Sequence, residues 1–222
     1  MNEKKVQKTV DRNEVLKFLA DELKISLIRD YCPNGMQVEG QPDISSIVSG
    51  VTASLALIEA AIDLHADTLL VHHGYFWRNE NECIVGPKQK RIRLLLQNNI
   101  NLIAYHLPLD CHPELGNNVQ LAKVLDFRPT GRFGENDLGW LGQMMNPGIT
   151  TVGELADMIE KRLNRKPLLV GNPQQKLETI GWCTGAAQDL LPDAAMNNAS
   201  VFLSGEVSER TVHEAREYGI AY

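Results

Sequence analysis

A strand–helix–strand pattern that occurs twice in the chain, at a spacing of about 132 residues, constrains the fold most strongly. In the first copy, a β-rich run from Ile47 leads through a segment with helical spacing to a buried strand at 69–71. In the second copy, a run from Ile180 leads in the same way to a strand at 201–203. A fixed order of elements at constant separation is the signature of a duplicated unit. The sequence therefore predicts an α/β fold made of two repeats.

The boundary between the two repeats is predicted after residue 127. Residues 128–147 hold glycines and prolines among apolar residues, which fits a change of domain or a run of short edge strands. The predicted repeats are thus residues 1–127 and 128–222. The chain ends at the strand whose first-copy counterpart leads to Asp110, so the second repeat is predicted to be truncated at its last strand.

Two helices carry recognisable local signals. Apolar residues at helical spacing predict a helix from Arg12 to Leu27, with Asp11 or Asn13 as a plausible N-cap. Thr151 and Glu154 have capping-box spacing before a further helix that extends to Leu163.

The composition is that of an ordinary globular protein, with 43% hydrophobic and 23% charged residues. A formal net charge of −6 disfavours a nucleic acid or an anionic membrane as partner. The first ten residues carry both signs of charge and no apolar core, unlike a secretory signal, and no stretch approaches the ~18 apolar residues of a membrane span. The four cysteines are widely spaced and indicate neither a disulfide framework nor a zinc ribbon. We therefore expect a soluble, cytoplasmic protein.

Histidines and an aspartate follow two neighbouring predicted strands. His72 and His73 come directly after the strand at 69–71, and His106 and Asp110 come after a strand at 100–105. Residues just beyond the carboxyl ends of neighbouring parallel strands converge on the ligand crevice. Imidazole with carboxylate suits zinc, iron, manganese or nickel, and one Asp can bridge two ions ~3.5–4 Å apart. The sequence predicts a metal site here, against the alternative that these histidines cluster by chance or cap the sheet edge.

The roles of the individual residues differ in how far the sequence defines them. Adjacent strand residues point to opposite faces, so His72 and His73 share a site only if the pleat ends, and Gly74 makes such a break plausible. His106 is a ligand, a donor that orients a ligand, or an acid/base group. Glu206 occupies the position that His73 has in the first repeat, which makes it a candidate catalytic residue or, equally, a helix-capping acid.

Other polar residues have simpler interpretations. Four positive charges fall within the six residues from Lys88 to Arg93, which is typical of a solvated helix face or, alternatively, of a phosphate-steering rim. Asn34 and Gly35 predict a turn, although an Asn side chain can also orient a substrate. Loop or structural roles are expected for the remaining candidates, which are His65, Cys111, His112 and His213.

Five stretches that span nearly the whole chain resemble the Nif-three-like family, whose bacterial members are commonly named GTP cyclohydrolase 1 type 2 homologues. They are Asp30-Tyr-Cys-Pro-Asn-Gly-Met-Gln-Val-Glu-Gly, Leu70-Val-His-His-Gly-Tyr-Phe-Trp, Ala104-Tyr-His-Leu-Pro-Leu-Asp, Leu115-Gly-Asn-Asn and Ser204-Gly-Glu-Val-Ser-Glu. The resemblance implies two interleaved α/β repeats with mixed sheets in a layered αβα arrangement. It also implies a dinuclear metal centre and a ring-shaped homohexamer with the metal sites facing an internal cavity.

Carried over by position, the resemblance assigns His72, His73 and Asp110 as ligands of two divalent metal ions. The family's other two ligands, a His and a Glu in a Gly-His-His-x-x-Glu type segment, would fall beyond Tyr222. This implies either a truncated sequence or a site with three protein ligands and open positions. The implied activity is metal-dependent hydrolysis of a nucleotide or related heterocycle, with His106 relaying protons. The alternative is a non-catalytic, metal-binding oligomeric scaffold or interaction protein.

Overall fold

The computed structural model describes residues 8–222, which divide into a first unit ending at Leu109 and a second unit beginning at Asp110. The opening segment, for which we predicted no secretory signal, lies mostly outside the described residues. The strands of the first unit are β1 (Val10–Asp11), β2 (Gly35–Val38), β3 (Asp43–Ile44), β4 (Ile47–Thr52), β5 (Thr68–His73) and β6 (Asn101–Ala104). Its helices are α1 (Arg12–Leu23), α2 (Leu55–Asp63) and α3 (Gly86–Gln97), and α4 (Leu107–Asp110) crosses the division.

The main sheet of the first unit has the strand order β2-β6-β5-β4. β4, β5 and β6 run parallel, and β2 pairs antiparallel with β6, so the sheet is mixed. Val71 of β5 pairs with Ala104 of β6, which places the carboxyl ends of the two strands side by side. The residues that follow these two strands therefore meet at one edge of the sheet.

Local interactions explain where helix α1 begins and ends. Asp11 Oδ1 accepts hydrogen bonds from the backbone N–H groups of Asn13 and Glu14, so of the two predicted N-caps of α1 it is Asp11 that caps the helix. The prediction that this helix extends to Leu27 was wrong. α1 ends at Leu23 because Lys24 takes a left-handed conformation with φ 50°, and a single 3₁₀ turn follows.

Buried polar groups tie the amino ends of β5 and β6 to the neighbouring loops. Asn101 Oδ1 accepts from the Gly40 N–H at 2.8 Å, and its Nδ2 donates to the Gln41 carbonyl at 2.8 Å. Asp67 Oδ2 accepts from both the N–H and the hydroxyl of Ser45 at 2.7 Å. These hydrogen bonds satisfy backbone donors and acceptors of the neighbouring loops and hold them to this end of the sheet. Among the described residues, the second carboxylate oxygen of Asp67, Oδ1, is buried without a hydrogen-bond partner.

The second unit repeats the combination of a mixed sheet with covering helices. Its strands are β7 (Phe127–Phe133), β8 (Gly139–Met144), β9 (Ile180–Cys183) and β10 (Val201–Ser204), and its helices are α5 (Asn117–Leu125), α6 (Val152–Leu163), α7 (Leu191–Met196) and α8 (Glu209–Tyr218). The strand order is β10-β9-β8-β7, with only β9 and β10 parallel. The predicted capping box of α6 is present, with Thr151 and Glu154 bonded reciprocally.

The registers of the two units correspond. Ile47 of β4 pairs with Thr68 of β5, and Ile180 of β9 pairs with Val201 of β10, in agreement with the spacing found in the sequence. Val201 also forms a parallel bridge with Ala221, and this bridge corresponds to the pairing of β5 with β6 in the first unit. The α/β fold with mixed sheets is thus confirmed.

The compact units divide earlier in the chain than the boundary predicted after residue 127. The difference is α5, whose buried residues Val119, Ala122 and Leu125 pack into the core of the second unit with Ile180 and its neighbours. Within residues 8–222, no helix has the length and apolar character needed to cross a membrane.

Candidate metal centre

Three imidazoles converge at the carboxyl end of the first unit's sheet. His72 and His73 end β5, and His106 lies two residues after β6. The ring centre of His72 lies 4.5 Å from that of His73 and 5.0 Å from that of His106, and the rings of His73 and His106 are 5.7 Å apart. One ring nitrogen from each lies within 4.8 Å of the other two. This spacing allows all three side chains to contact one metal ion.

The His72 ring is oriented by a backbone carbonyl. Its Nδ1 lies 3.0 Å from the carbonyl oxygen of Tyr105. A carbonyl oxygen only accepts, so Nδ1 carries the proton and Nε2 keeps its lone pair in the neutral ring. Metal-binding histidines generally donate their second ring N–H in this way, because the acceptor fixes the tautomer and the ring orientation.

The His106 ring is oriented by a carboxylate. Its Nδ1 lies 3.0 Å from Asp30 Oδ1, and the two side chains are only 8% and 3% exposed. The carboxylate accepts a hydrogen bond from Nδ1–H, which leaves the lone pair of the ring on Nε2. His73 has a weaker neighbour, since its Nδ1 lies 3.3 Å from the Thr52 hydroxyl, which can donate or accept.

Asp30 also connects the loop at residues 30–34 to the segment after β6. Its Oδ2 accepts from Asn34 Nδ2 and from the Leu107 N–H, both at 2.9 Å, and Asn34 Oδ1 accepts from the His106 N–H at 2.8 Å. Burial raises the pKa of Asp30, but the hydrogen bonds from His106, Asn34 and Leu107 outweigh it and hold the pKa well below its ordinary value. Asp30 is therefore an anion at neutral pH.

Asp30 was not predicted as a residue of the site, although it begins the first stretch of family resemblance. Asp30 and His106 are 76 residues apart, and no motif spacing connects them. Asn34, for which a turn or a substrate-orienting role was predicted, donates to Asp30 Oδ2 and accepts from the His106 N–H.

Gly74 directly follows the last residue of β5, so the strand breaks where the sequence predicted, after His72 and His73. A Cβ at this position would lie 2.1 Å from Gln37 Oε1 and 2.8 Å from the Ala104 side chain. Gln37 Oε1 accepts the Tyr75 N–H at 2.7 Å, so the close approach is part of a hydrogen-bonded turn. A larger residue here would have to displace the Gln37 amide and the Ala104 side chain, so glycine fits directly after the two histidines.

A thiol lies next to the cluster. Cys32 Sγ is 3.7 Å from Asp30 Oδ1, and Asp30, Cys32 and His106 form a second group whose ligand atoms lie within 4.8 Å. Burial and the Asp30 charge raise the pKa of Cys32 to about 12. At neutral pH the side chain is a thiol that donates to Asp30, rather than the thiolate that a metal prefers.

The other two residues named as site candidates, Asp110 and Glu206, belong to the second unit. Asp110 is buried, and its Oδ1 accepts from Asn117 Nδ2 at 2.7 Å. Glu206 is exposed in the loop after β10, and its backbone carbonyl accepts from the Tyr222 hydroxyl.

Lys88, which begins the basic segment, does not lie on a solvated helix face. Its Nζ is 3.4 Å from Glu80 Oε1, donates to the Asn81 carbonyl at 2.9 Å and lies 5.1 Å from the centre of the Phe76 ring. This ammonium is therefore engaged in holding the loop at residues 76–81 against α3.

Comparisons with known proteins agree on one family. Residues 10–222 match the family model for Duf34/NIF3 (NGG1p interacting factor 3). A Vibrio cholerae protein named GTP cyclohydrolase 1 type 2 homolog is 52% identical over 209 residues, which is 92% of this chain and 82% of the relative. A Pseudomonas aeruginosa protein of the same name is 50% identical over 206 residues, covering 90% and 79%.

Solved structures show the same similarity. The structure described as protein ybgI, of unknown function, has a TM-score of 0.89 at 44% identity and covers 96% of this chain and 85% of that chain. The structure of TTHA1606 from Thermus thermophilus has a TM-score of 0.80 at 32% identity, with coverages of 96% and 84%.

Proposed function

The chain belongs to the Duf34/NIF3 family, and we propose that it is a metal-dependent hydrolase that acts on a nucleotide or a related heterocycle. The observation that carries the proposal is the cluster of His72, His73 and His106, in which two of the three rings donate Nδ1–H to fixed acceptors. In such rings the lone pair is on Nε2, where it is available to a metal ion. The name of the relatives supports the substrate class.

The donor set fits a divalent metal ion. Imidazole nitrogens suit zinc, iron or nickel, and three protein ligands with an open position are typical of catalytic rather than structural sites. We propose Asp110 as the carboxylate ligand, and two ions rather than one, because the family resemblance implies both. Glu206 remains a proposed catalytic residue on the grounds of its position in the second repeat.

A bound divalent ion would lower the pKa of a coordinated water and polarise the substrate. The chain's own residues hold and orient the ligands. Asp30 keeps the proton of His106 on Nδ1, and the single lone pair on Nε2 then serves either as a ligand or as a proton acceptor, but not as both at once. Since one ring nitrogen of His106 lies within 4.8 Å of ring nitrogens of His72 and His73, we assign His106 to the ligands in preference to the predicted proton relay.

Metal analysis of purified protein tests the site. We expect His72→Ala, His106→Ala and Asp110→Ala to lose bound metal relative to wild type. His213→Ala is the matched control, because His213 is exposed on α8 and Ala is favourable in a helix. Equal metal content in all variants would refute the site. Wild-type content in His106→Ala with loss of turnover would return His106 to the role of proton relay.

A turnover screen tests the reaction. Nucleotides are incubated with protein loaded with zinc, manganese or iron, and we expect hydrolysis with at least one metal. A protein that binds metal but shows no turnover at any loading would refute the hydrolase and favour the non-catalytic scaffold. We also propose the ring-shaped homohexamer implied by the resemblance, and light scattering should give six times the chain mass.

A further inference from the structure

Two aromatic side chains pack against the metal cluster. The ring centre of His106 lies 5.1 Å from that of Tyr31 and 4.9 Å from that of Trp77, both in edge-to-face geometry. Trp77 is also 5.9 Å from His73, and the two aromatic rings are 5.8 Å apart. Tyr31 is 46% exposed and Trp77 is partly exposed. We call this pair the aromatic wall.

The polar groups of Trp77 are used within its own loop. Its indole N–H donates to the Gly74 carbonyl at 3.2 Å, and its backbone N–H donates to Glu80 Oε2 at 3.1 Å. The Arg78 N–H donates to the Tyr31 carbonyl at 2.8 Å, which ties the two loops of the wall together. What Trp77 presents to a ligand is therefore its apolar ring, held in a fixed place.

The loop that carries Trp77 is anchored to α3. Glu80 accepts from Trp77 through one carboxylate oxygen and contacts Lys88 Nζ at 3.4 Å through the other. An aromatic surface that is ordered before binding loses little conformational entropy when a ligand arrives. The same contact occupies the nearby ammonium, which makes Lys88 unsuited to binding a phosphate.

We propose that Tyr31 and Trp77 bind a planar nitrogen heterocycle, such as a nucleobase or pterin, by stacking, and so select the molecules that reach the histidine cluster. This inference rests on the proposed function and specifies its substrate class as the ring rather than the phosphate. Stacking of a base on an aromatic side chain contributes about 1–3 kcal/mol and depends on the flat face of the ring. A sugar phosphate has no such face.

Intrinsic tryptophan fluorescence measures stacking of a base on Trp77 directly. Trp77 is partly exposed, whereas the other two tryptophans, Trp140 and Trp182, are buried in the second unit. We expect guanosine to quench the emission of the zinc-loaded protein saturably, and ribose 5-phosphate to leave it unchanged. In Trp77→Phe the quenching should disappear while guanosine binding, followed by equilibrium dialysis, is retained. Absence of guanosine binding by the wild-type protein would overturn the proposal.

Truncation variants give the magnitude. We expect Tyr31→Ala and Trp77→Ala each to weaken guanosine binding by about 5- to 150-fold. Phe18→Ala is the matched control, because Phe18 is a 65% exposed aromatic residue on α1 of the same unit. If Trp77→Ala does not fold, the exposed Tyr31 still provides the test. If Tyr31→Ala binds guanosine as tightly as Phe18→Ala does, the proposal is overturned.

The same preparations separate this inference from the proposed function. Guanosine binding that depends on the wall, in a protein that binds metal but never turns over, would refute the hydrolase and support the wall. Metal-dependent turnover with wild-type guanosine affinity in Tyr31→Ala would support the hydrolase and overturn the wall.

Discussion

Replacement of Asp30 by Asn tests whether this carboxylate orients His106 for metal binding. The wild-type carboxylate accepts from the Tyr31 N–H and His106 Nδ1 through one oxygen, and from Asn34 Nδ2 and the Leu107 N–H through the other. An Asn side chain offers one oxygen and one NH₂ group. If the oxygen faces His106, the NH₂ group faces two donors that have lost their acceptor.

The expected magnitudes follow from these contacts. Each buried donor without an acceptor costs about 1–3 kcal/mol, so Asp30→Asn should lower the free energy of unfolding by about 2–6 kcal/mol. That loss is a large part of the free energy of unfolding, which is usually about 5–15 kcal/mol for a protein. Loss of the charged acceptor should also weaken metal binding by about 10- to 100-fold, the usual effect of removing a partner that orients a ligand.

Zinc competition with a chromophoric chelator measures the affinity, and urea unfolding measures the stability. Asp67→Asn is the control, because Asp67 is a buried, hydrogen-bonded acid at the opposite end of β5. We expect it to bind zinc like wild type. Wild-type zinc affinity in folded Asp30→Asn would refute the reasoning, and an equal loss in Asp67→Asn would attribute the effect to stability alone.

Three further predictions concern stability and thiol chemistry. In Gly74→Ala the added Cβ would lie 2.1 Å from a side-chain oxygen, and overpacking of about 1–3 kcal/mol should lower the Tm by about 2–12 °C. Gly131→Ala is the control, because its Cβ would have its nearest contact at 3.8 Å and should change the Tm little. Equal Tm values for the two variants would contradict this prediction. Cys83 is exposed, whereas burial raises the pKa of Cys183 to about 12, so only about one in 10⁴ Cys183 thiols is ionised at pH 8. The reaction of the protein with Ellman's reagent should therefore lose its fast phase in Cys83→Ser. A fast phase that remains would contradict the assignment of this phase to Cys83. Thr151→Ala removes the hydroxyl acceptor of the α6 capping box, which should lower the free energy of unfolding by about 1 kcal/mol and the Tm by about 2–4 °C. An unchanged Tm would contradict a stabilising role for this cap.

The sequence was sufficient where the deciding signal is local. The Asp11 cap and the Thr151 capping box depend on residues within one helical turn, and both are present in the structure. The strands β5 and β6 are short apolar runs bounded by turn residues, and they form neighbouring parallel strands.

The remainder depends on contacts that are distant in sequence. The end of α1 at Leu23 has no glycine or proline signal, because Lys24 adopts the left-handed conformation there. The Asp30–His106 hydrogen bond joins residues that no local pattern relates, although it decides which nitrogen of His106 is available. The packing of α5 with the second unit similarly follows from the shape of a core and not from a boundary signal.

The amino ends of β5 and β6 are held by Asp67 and Asn101, and the carboxyl ends of the same strands lead to the imidazoles. A library of variants should therefore give two separate phenotypes. Changes at Asp67 or Asn101 leave buried groups without partners and should reduce the cellular abundance of the protein. Changes at His73, whose Nδ1 lies beside the exposed Thr52 hydroxyl, should largely spare abundance and alter what is bound. This separation lets the chemistry at one end of the sheet diverge in evolution while the fold that supports it persists.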